Sequence, residues 1–183
     1  MGKTIGWVVG SLRRDSINRR LLQAVVKLAP AGHAFTELRI DDLPLYNQDE
    51  DRNQPVPTQR LKAAIRAVDG VIFVTPEYNR GVPGVLKNAL DHASRPYGDS
   101  AWAGKPAGIL GASSGAIGSA VAQQQLRAML AYLDMPTLGQ PEVFITVKEG
   151  FFDAAGDIAN ADTRKFLAGW VEKYLAWVAR FGS

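Results

Sequence analysis

The sequence predicts an α/β fold: one parallel sheet of five strands with helices on both faces. Three observations point there. Short apolar runs recur at 4–10, 71–74, 106–111 and 143–147, and such runs read as strands buried on both faces. Segments with apolar residues at helical spacing alternate with these runs. No internal repeat or low-complexity linker breaks the alternation, so residues 1–183 read as a single domain. For five strands of this kind the expected order is 2-1-3-4-5, with a ligand crevice where the order reverses, between the first strand and the third.

Each element has its own signal. Residues 4–10 (TIGWVVG) form the first strand, and Gly10-Ser11-Leu12-Arg13-Arg14-Asp15 a loop. Ser16 suits the N-cap of a helix carrying Ile17, Leu21, Leu22, Val25 and Val26 on one face. Pro30-Ala31-Gly32 stops that helix. Residues 34–40 alternate weakly, as a second strand. Residues 41–57 form a long polar connection containing Leu43-Pro44-Leu45-Tyr46-Asn47-Gln48, and its length argues for a functional or flexible loop. Thr58 is the expected cap of a helix with Leu61, Ala64, Ile65 and Val68 inward.

The third strand, 71–74, turns abruptly polar at Thr75-Pro76-Glu77-Tyr78-Asn79-Arg80-Gly81. A helix follows from Pro83, with proline at its first position and Val85, Leu86, Ala89 and Leu90 inward. Residues 106–111 form a fourth strand, 112–116 a loop, and 117–133 a helix with Ile117, Val121, Leu126, Met129, Leu130 and Leu133 apolar. Residues 143–147 form the fifth strand. The last helix, from Thr163, has the cleanest periodicity: Phe166, Leu167, Trp170, Val171, Tyr174, Leu175 and Val178.

Composition removes several functions. With 21 Lys+Arg against 18 Asp+Glu the net charge is +3. That balance suits an anionic small molecule and carries no nucleic-acid footprint. Cysteine is absent, which excludes disulfides, thiolate metal sites and a cysteine nucleophile. Only His33 and His92 are present, against a multi-histidine metal centre. No apolar run is long enough to span a membrane. The first residues resemble neither a signal peptide nor a myristoylation signal, so the cytoplasm is expected.

Three loops are candidate sites. The first, residues 10–19, leaves a strand and opens a helix, where free backbone N–H groups and the helix dipole favour a phosphate. Ser11, Arg13, Ser16 and Asn18 would complete the cradle; the alternative is a plain turn with its arginines in solvent. In the second, Pro76, Glu77, Tyr78 and Asn79 make a stiffened loop that can face a flat heterocycle, with Tyr78 offering a ring. Its bland reading makes Glu77 a solvent carboxylate and Tyr78 a lid on the core. The third, Ser113-Ser114-Gly115, supplies small residues and N–H groups; alternatively Ser114 merely caps a helix. His92 is expected to be structural or at the surface, and Trp102, Trp170 and Trp177 core or interface. No Ser-His-Asp set is legible.

Together these stretches resemble the NADPH-dependent FMN reductase family, in particular its chromate- and quinone-reducing branch. The matching residues are Gly10-Ser11-Leu12-Arg13, Ser16, Asn18, Leu43-Pro44-Leu45-Tyr46-Asn47, Thr75-Pro76-Glu77-Tyr78-Asn79, residues 83–91, Ser94-Arg95-Pro96 and Gly111-Ala112-Ser113-Ser114-Gly115. The resemblance implies a flavodoxin-like fold, non-covalent FMN, and NADPH or NADH as reductant. It implies that Ser11, Arg13, Ser16 and Asn18 hold the FMN phosphate, and that residues 76–79 and 113–115 border the ring. It also implies a homodimer or homotetramer. Arg80 is positioned to meet the phosphates of NADPH. The expected acceptors are small molecules: quinones, chromate, azo dyes or free flavin. His92 and Ser119 depart from the family pattern. A flavodoxin-type electron carrier is the rival reading; such carriers are typically acidic, with a phosphate loop rich in Thr and Gly, unlike this chain. A ligand-binding protein without turnover is the third.

Overall fold

The computed structural model describes residues 2–181; Met1, Gly182 and Ser183, which the expected domain includes, lie outside the described residues. Strands β1 (Thr4–Val9), β2 (Ala34–Glu37), β3 (Gly70–Val74), β4 (Ala107–Ser113) and β5 (Phe144–Thr146) form one sheet in the order β2-β1-β3-β4-β5. Every neighbouring pair is parallel, as expected. The chain between strands carries α1 (Ile17–Val26), α2 (Val56–Arg66), α3 (Gly84–Ala93) and α4 (Ala120–Tyr132), and α5 (Ala161–Val178) ends it.

The two-residue period of the strands sorts the core into two layers. Ile72 and Val74 pack with Leu21, Leu22 and Val25 of α1 and Trp170 and Tyr174 of α5. Val71 and Phe73 pack on the other face with Leu61 and Ile65 of α2, Leu86 and Leu90 of α3, and Leu126 and Leu130 of α4. Glycine lets α5 come close: a Cβ on Gly108 would stand 2.7 Å from the Tyr174 ring. Tyr174 is fully buried, stacks on Trp170 at 5.5 Å, and donates its hydroxyl hydrogen to the Pro106 carbonyl at 3.3 Å. Burial pushes its pKa well above the ordinary phenol value.

Several boundaries differ from the sequence reading. β2 ends at Glu37 rather than 40, and β4 runs on to Ser113 rather than stopping at 111. β5 is trimmed to three residues at the sheet edge. Pro55, not Thr58, stands at the N-cap of α2; Thr58 lies inside the first turn, fully buried. Pro83 is the N-cap of α3 rather than its first residue. Helix α4 starts at Ala120 instead of 117, so Ile117 belongs to the preceding loop; it and Val121 are exposed. Apolar spacing places Ile117 in register with the helix, but Gly118 and Ser119 take left-handed φ values of 58° and 70° and break the pattern there.

Candidate functional site

The loops after β1, β3 and β4 meet at the C-terminal edge of the sheet. Gly10 still donates its N–H to Val74 O at 2.8 Å, and then the chain leaves the ladder. Ser16 takes the N-cap of α1 with extended backbone, and its Oγ accepts the Arg19 N–H at 3.3 Å. A hydroxyl that accepts in this way keeps its own hydrogen to donate outward. Ser11 and Ser16 are buried side chains at this turn, while Arg13 and Arg14 are exposed. No acidic side chain lies in the first turn of α1. Among the described residues neither Arg13 nor Arg14 has a carboxylate partner. The donor set fits a phosphate: hydroxyls, guanidinium groups and the positive end of a helix.

Asn18 also has a role inside the fold. Its side chain donates through Nδ2 to Ala112 O at 2.9 Å and accepts from Ala112 N–H through Oδ1 at 2.8 Å. Asn18 and Ala112 are both buried. β3 ends at Val74, so beyond that point the amide of Asn18 pairs the backbone of β4 in the strand's place. Asn18 therefore ties the start of α1 to the end of β4 and has one amide hydrogen left.

The loop after β3 is a tight hairpin. Tyr78 N–H donates to Gly81 O at 3.1 Å and Gly81 N–H to Tyr78 O at 2.9 Å. The two residues between, Asn79 and Arg80, have φ of 50° and 63°. That is the pattern of a type I′ turn, which favours Asn followed by Gly. Asn79 meets the preference and Arg80 does not, at a cost of about 1–3 kcal/mol. Pro76 is buried beneath, and the ring of Tyr78 is half exposed beside the cleft.

Glu77 is not a solvent carboxylate. Its side chain is 8% exposed. Oε2 accepts the N–H groups of Val121 and Ala122 at 3.0 and 3.1 Å, and Oε1 accepts from Arg80 Nη1 at 3.0 Å. Ser119, the N-cap of α4, makes no side-chain cap bond, so a carboxylate from the β3 loop caps the helix. Gln125 adds a second tie, donating from Nε2 to Arg80 O at 2.8 Å. Nothing in the sequence singled out Gln125, because it meets the hairpin only through the tertiary fold.

In the loop after β4, the hydroxyl oxygen of Ser113 accepts the Gly115 N–H at 2.8 Å, and Thr146 of β5 donates to Gly115 O at 3.2 Å. Ser114 and Gly115 are exposed. Glu77, Asn79, Arg80, Ser113, Gly115, Ala116 and Ile117 line a cavity of about 500 Å³ between the second and third loops. A second cavity, of about 510 Å³, lies on the β2 side of the first loop and shares Ser11 and Arg13 with the cradle. Its walls carry two ion pairs, Arg19–Glu37 at 2.7 Å and Arg39–Asp41 at 2.5 Å. Hydrogen bonding to Glu37 raises the pKa of Arg19, and hydrogen bonding to Arg39 lowers that of Asp41.

His92 is buried and structural. Nε2 lies 2.8 Å from Pro44 O and donates to it, and Nδ1 lies 2.9 Å from Thr58 Oγ1. The long 41–57 connection is thus fastened to α3 and α2. Trp102 and Trp170 are core residues; Trp177 is part-buried and donates to Pro136 O at 2.9 Å. Among the described residues no group of three or more His, Cys, Asp and Glu could hold a metal ion, and no helix is long and apolar enough to cross a membrane.

Comparison with known proteins bears on the family and the fold. Residues 4–150 match the model of a family described as NADPH-dependent FMN reductase. A 2-hydroxy-1,4-benzoquinone reductase from a Burkholderia species is 52% identical over 178 residues, covering 97% of this chain and 97% of the relative. A quinone reductase from Pseudomonas putida is 46% identical over 176 residues, covering 96% and 94%. The solved structure of FerB from Paracoccus denitrificans, a flavoenzyme NAD(P)H:(acceptor) oxidoreductase, superposes with a TM-score of 0.94 at 41% identity, covering 99% of this chain and 100% of that one.

Proposed function

The chain belongs to the NADPH-dependent FMN reductase family, and from that premise we propose that it is an FMN-dependent NAD(P)H oxidoreductase that reduces quinones and other small acceptors, chromate among them. The observation that carries this reading is the cradle of hydroxyls, arginines and helix N-terminus after β1, set beside a cleft walled by the loops after β3 and β4. Ser11, Arg13, Ser16 and the first turn of α1 hold the FMN phosphate. Asn18 holds the cradle against β4. The backbone of residues 76–79 and 113–115 borders the ring, with Tyr78 alongside. Arg80, on the rim, meets the phosphates of the dinucleotide. FMN, when bound there, would supply the redox chemistry that links NAD(P)H to the acceptor.

The residues of the cleft bind, orient and exclude water; no acid/base trio is needed, because the cofactor supplies the difficult chemistry. Backbone donors around the ring are placed to stabilise negative charge developing there. One face serving reductant and acceptor in turn implies ping-pong kinetics. Double-reciprocal plots against NADPH at several quinone concentrations are expected to be parallel, and lines that intersect would overturn the shuttle. A cytoplasmic homodimer or homotetramer belongs to the same reading. The exposed Tyr78, Ile117 and Val121 beside the cleft support a second copy there, and light scattering at a monomer mass would count against it.

A further inference from the structure

We propose that Glu77 is a positioning residue for the nicotinamide dinucleotide, acting through Arg80; this rests on the reading of Arg80 as the phosphate-facing group. Two independent features lead here. Arg80 occupies the second position of a type I′ turn, where glycine is the unstrained choice, so the turn itself gives no reason for an arginine. Its side chain is 66% exposed at the rim of the cavity between the second and third loops. Glu77, meanwhile, is a cap supplied from 44 residues away that does more than a cap requires. One oxygen serves the N–H groups at the start of α4, and the other is given to Arg80 Nη1.

The arrangement holds Arg80 at both ends. Gln125 of α4 fixes its carbonyl, and Glu77, itself pinned to α4, fixes one arm of the guanidinium. A guanidinium has five N–H donors in a rigid fork. One is held by Glu77, and the rest suffice for a bidentate grip on a phosphate, whose strength depends on the aim of the fork. A glutamine at position 77 can still accept from α4 but turns a donor amide toward Arg80. That drives the fork away from its aim. The charge gained by losing the carboxylate offsets little of this, because charge on an exposed rim is screened by solvent.

The test is calorimetric titration of the FMN-loaded protein with NADP⁺, which binds without turnover. Glu77→Gln is expected to weaken NADP⁺ binding roughly tenfold, with Arg80→Ala weakening it to a similar degree. The double variant should bind no more weakly than Arg80→Ala alone. Glu77→Asp keeps the charge at α4 but is one methylene too short to span both partners, so it should show the same loss with little change in thermal midpoint. It also serves if the glutamine variant folds poorly. Wild-type affinity in both Glu77 variants, with Arg80→Ala weakened, would overturn the role of Glu77 and leave Arg80 standing. Wild-type affinity in Arg80→Ala would remove the reading of Arg80 and this inference with it. Additive losses, or loss of FMN alongside NADP⁺, would show that Glu77 acts on the site at large and not through Arg80.

Discussion

Replacing Arg13 and Ser16 together by alanine is expected to weaken FMN binding by about a hundredfold to ten-thousandfold. Each removes a charge-assisted contact to the phosphate, worth about 1.5–3 kcal/mol, and about 1.4 kcal/mol is a factor of ten. Ser16 has a second role, because its Oγ accepts the Arg19 N–H. Losing that cap costs about 1 kcal/mol of stability with or without ligand. Thermal unfolding of the flavin-free single variants separates the two effects: Arg13→Ala should leave the midpoint unchanged, and Ser16→Ala should lower it slightly. Fluorescence titration with FMN reads the affinity directly. An unchanged dissociation constant in the double variant would remove the cradle from the first loop.

Asn18→Ala should behave differently, destabilising the protein whether or not flavin is bound. The substitution strips the buried Ala112 of partners for both its N–H and its carbonyl. Orphaned groups of this kind cost about 1–3 kcal/mol each, so a loss of about 3–5 kcal/mol is expected. For a chain of this length each kcal/mol shifts the midpoint by about 2–4 °C, so thermal unfolding should move down by roughly 6–20 °C. FMN binding should weaken as well, because the same amide holds the start of α1, where the cradle lies, to the end of β4. A variant that loses flavin but keeps its midpoint would restore Asn18 to a direct phosphate contact.

These two variants mark where the sequence was informative and where it stopped. Strand order followed from apolar runs at 4–10 and 71–74 alternating with helical periods, because hydrophobic period is a local signal. Ser16 as a cap was equally local. Asn18 and Glu77 are expected at the ligand from their loops and their chemistry, but their bonds within the protein were not legible. Their partners, Ala112 and the N–H groups of Val121 and Ala122, are 94, 44 and 45 residues away. No spacing rule encodes such a pair. The start of α4 was misplaced for the opposite reason: Ile117 keeps helical register on paper, and only the left-handed Gly118 and Ser119 show the chain has not yet turned. Thr58 was read as a cap from its residue type, yet it bonds His92, a contact made only when α2 packs beside α3.

The central claim is that the cleft after β1, β3 and β4 holds FMN and exposes it to a dinucleotide and then to an acceptor. Anaerobic absorption spectroscopy of the FMN-loaded protein tests it in one cuvette. The expected result is a bound-flavin band that bleaches on addition of one equivalent of NADPH and returns on addition of a benzoquinone. A colourless protein that takes up no FMN, or a bound flavin that NADPH leaves oxidised, would contradict it.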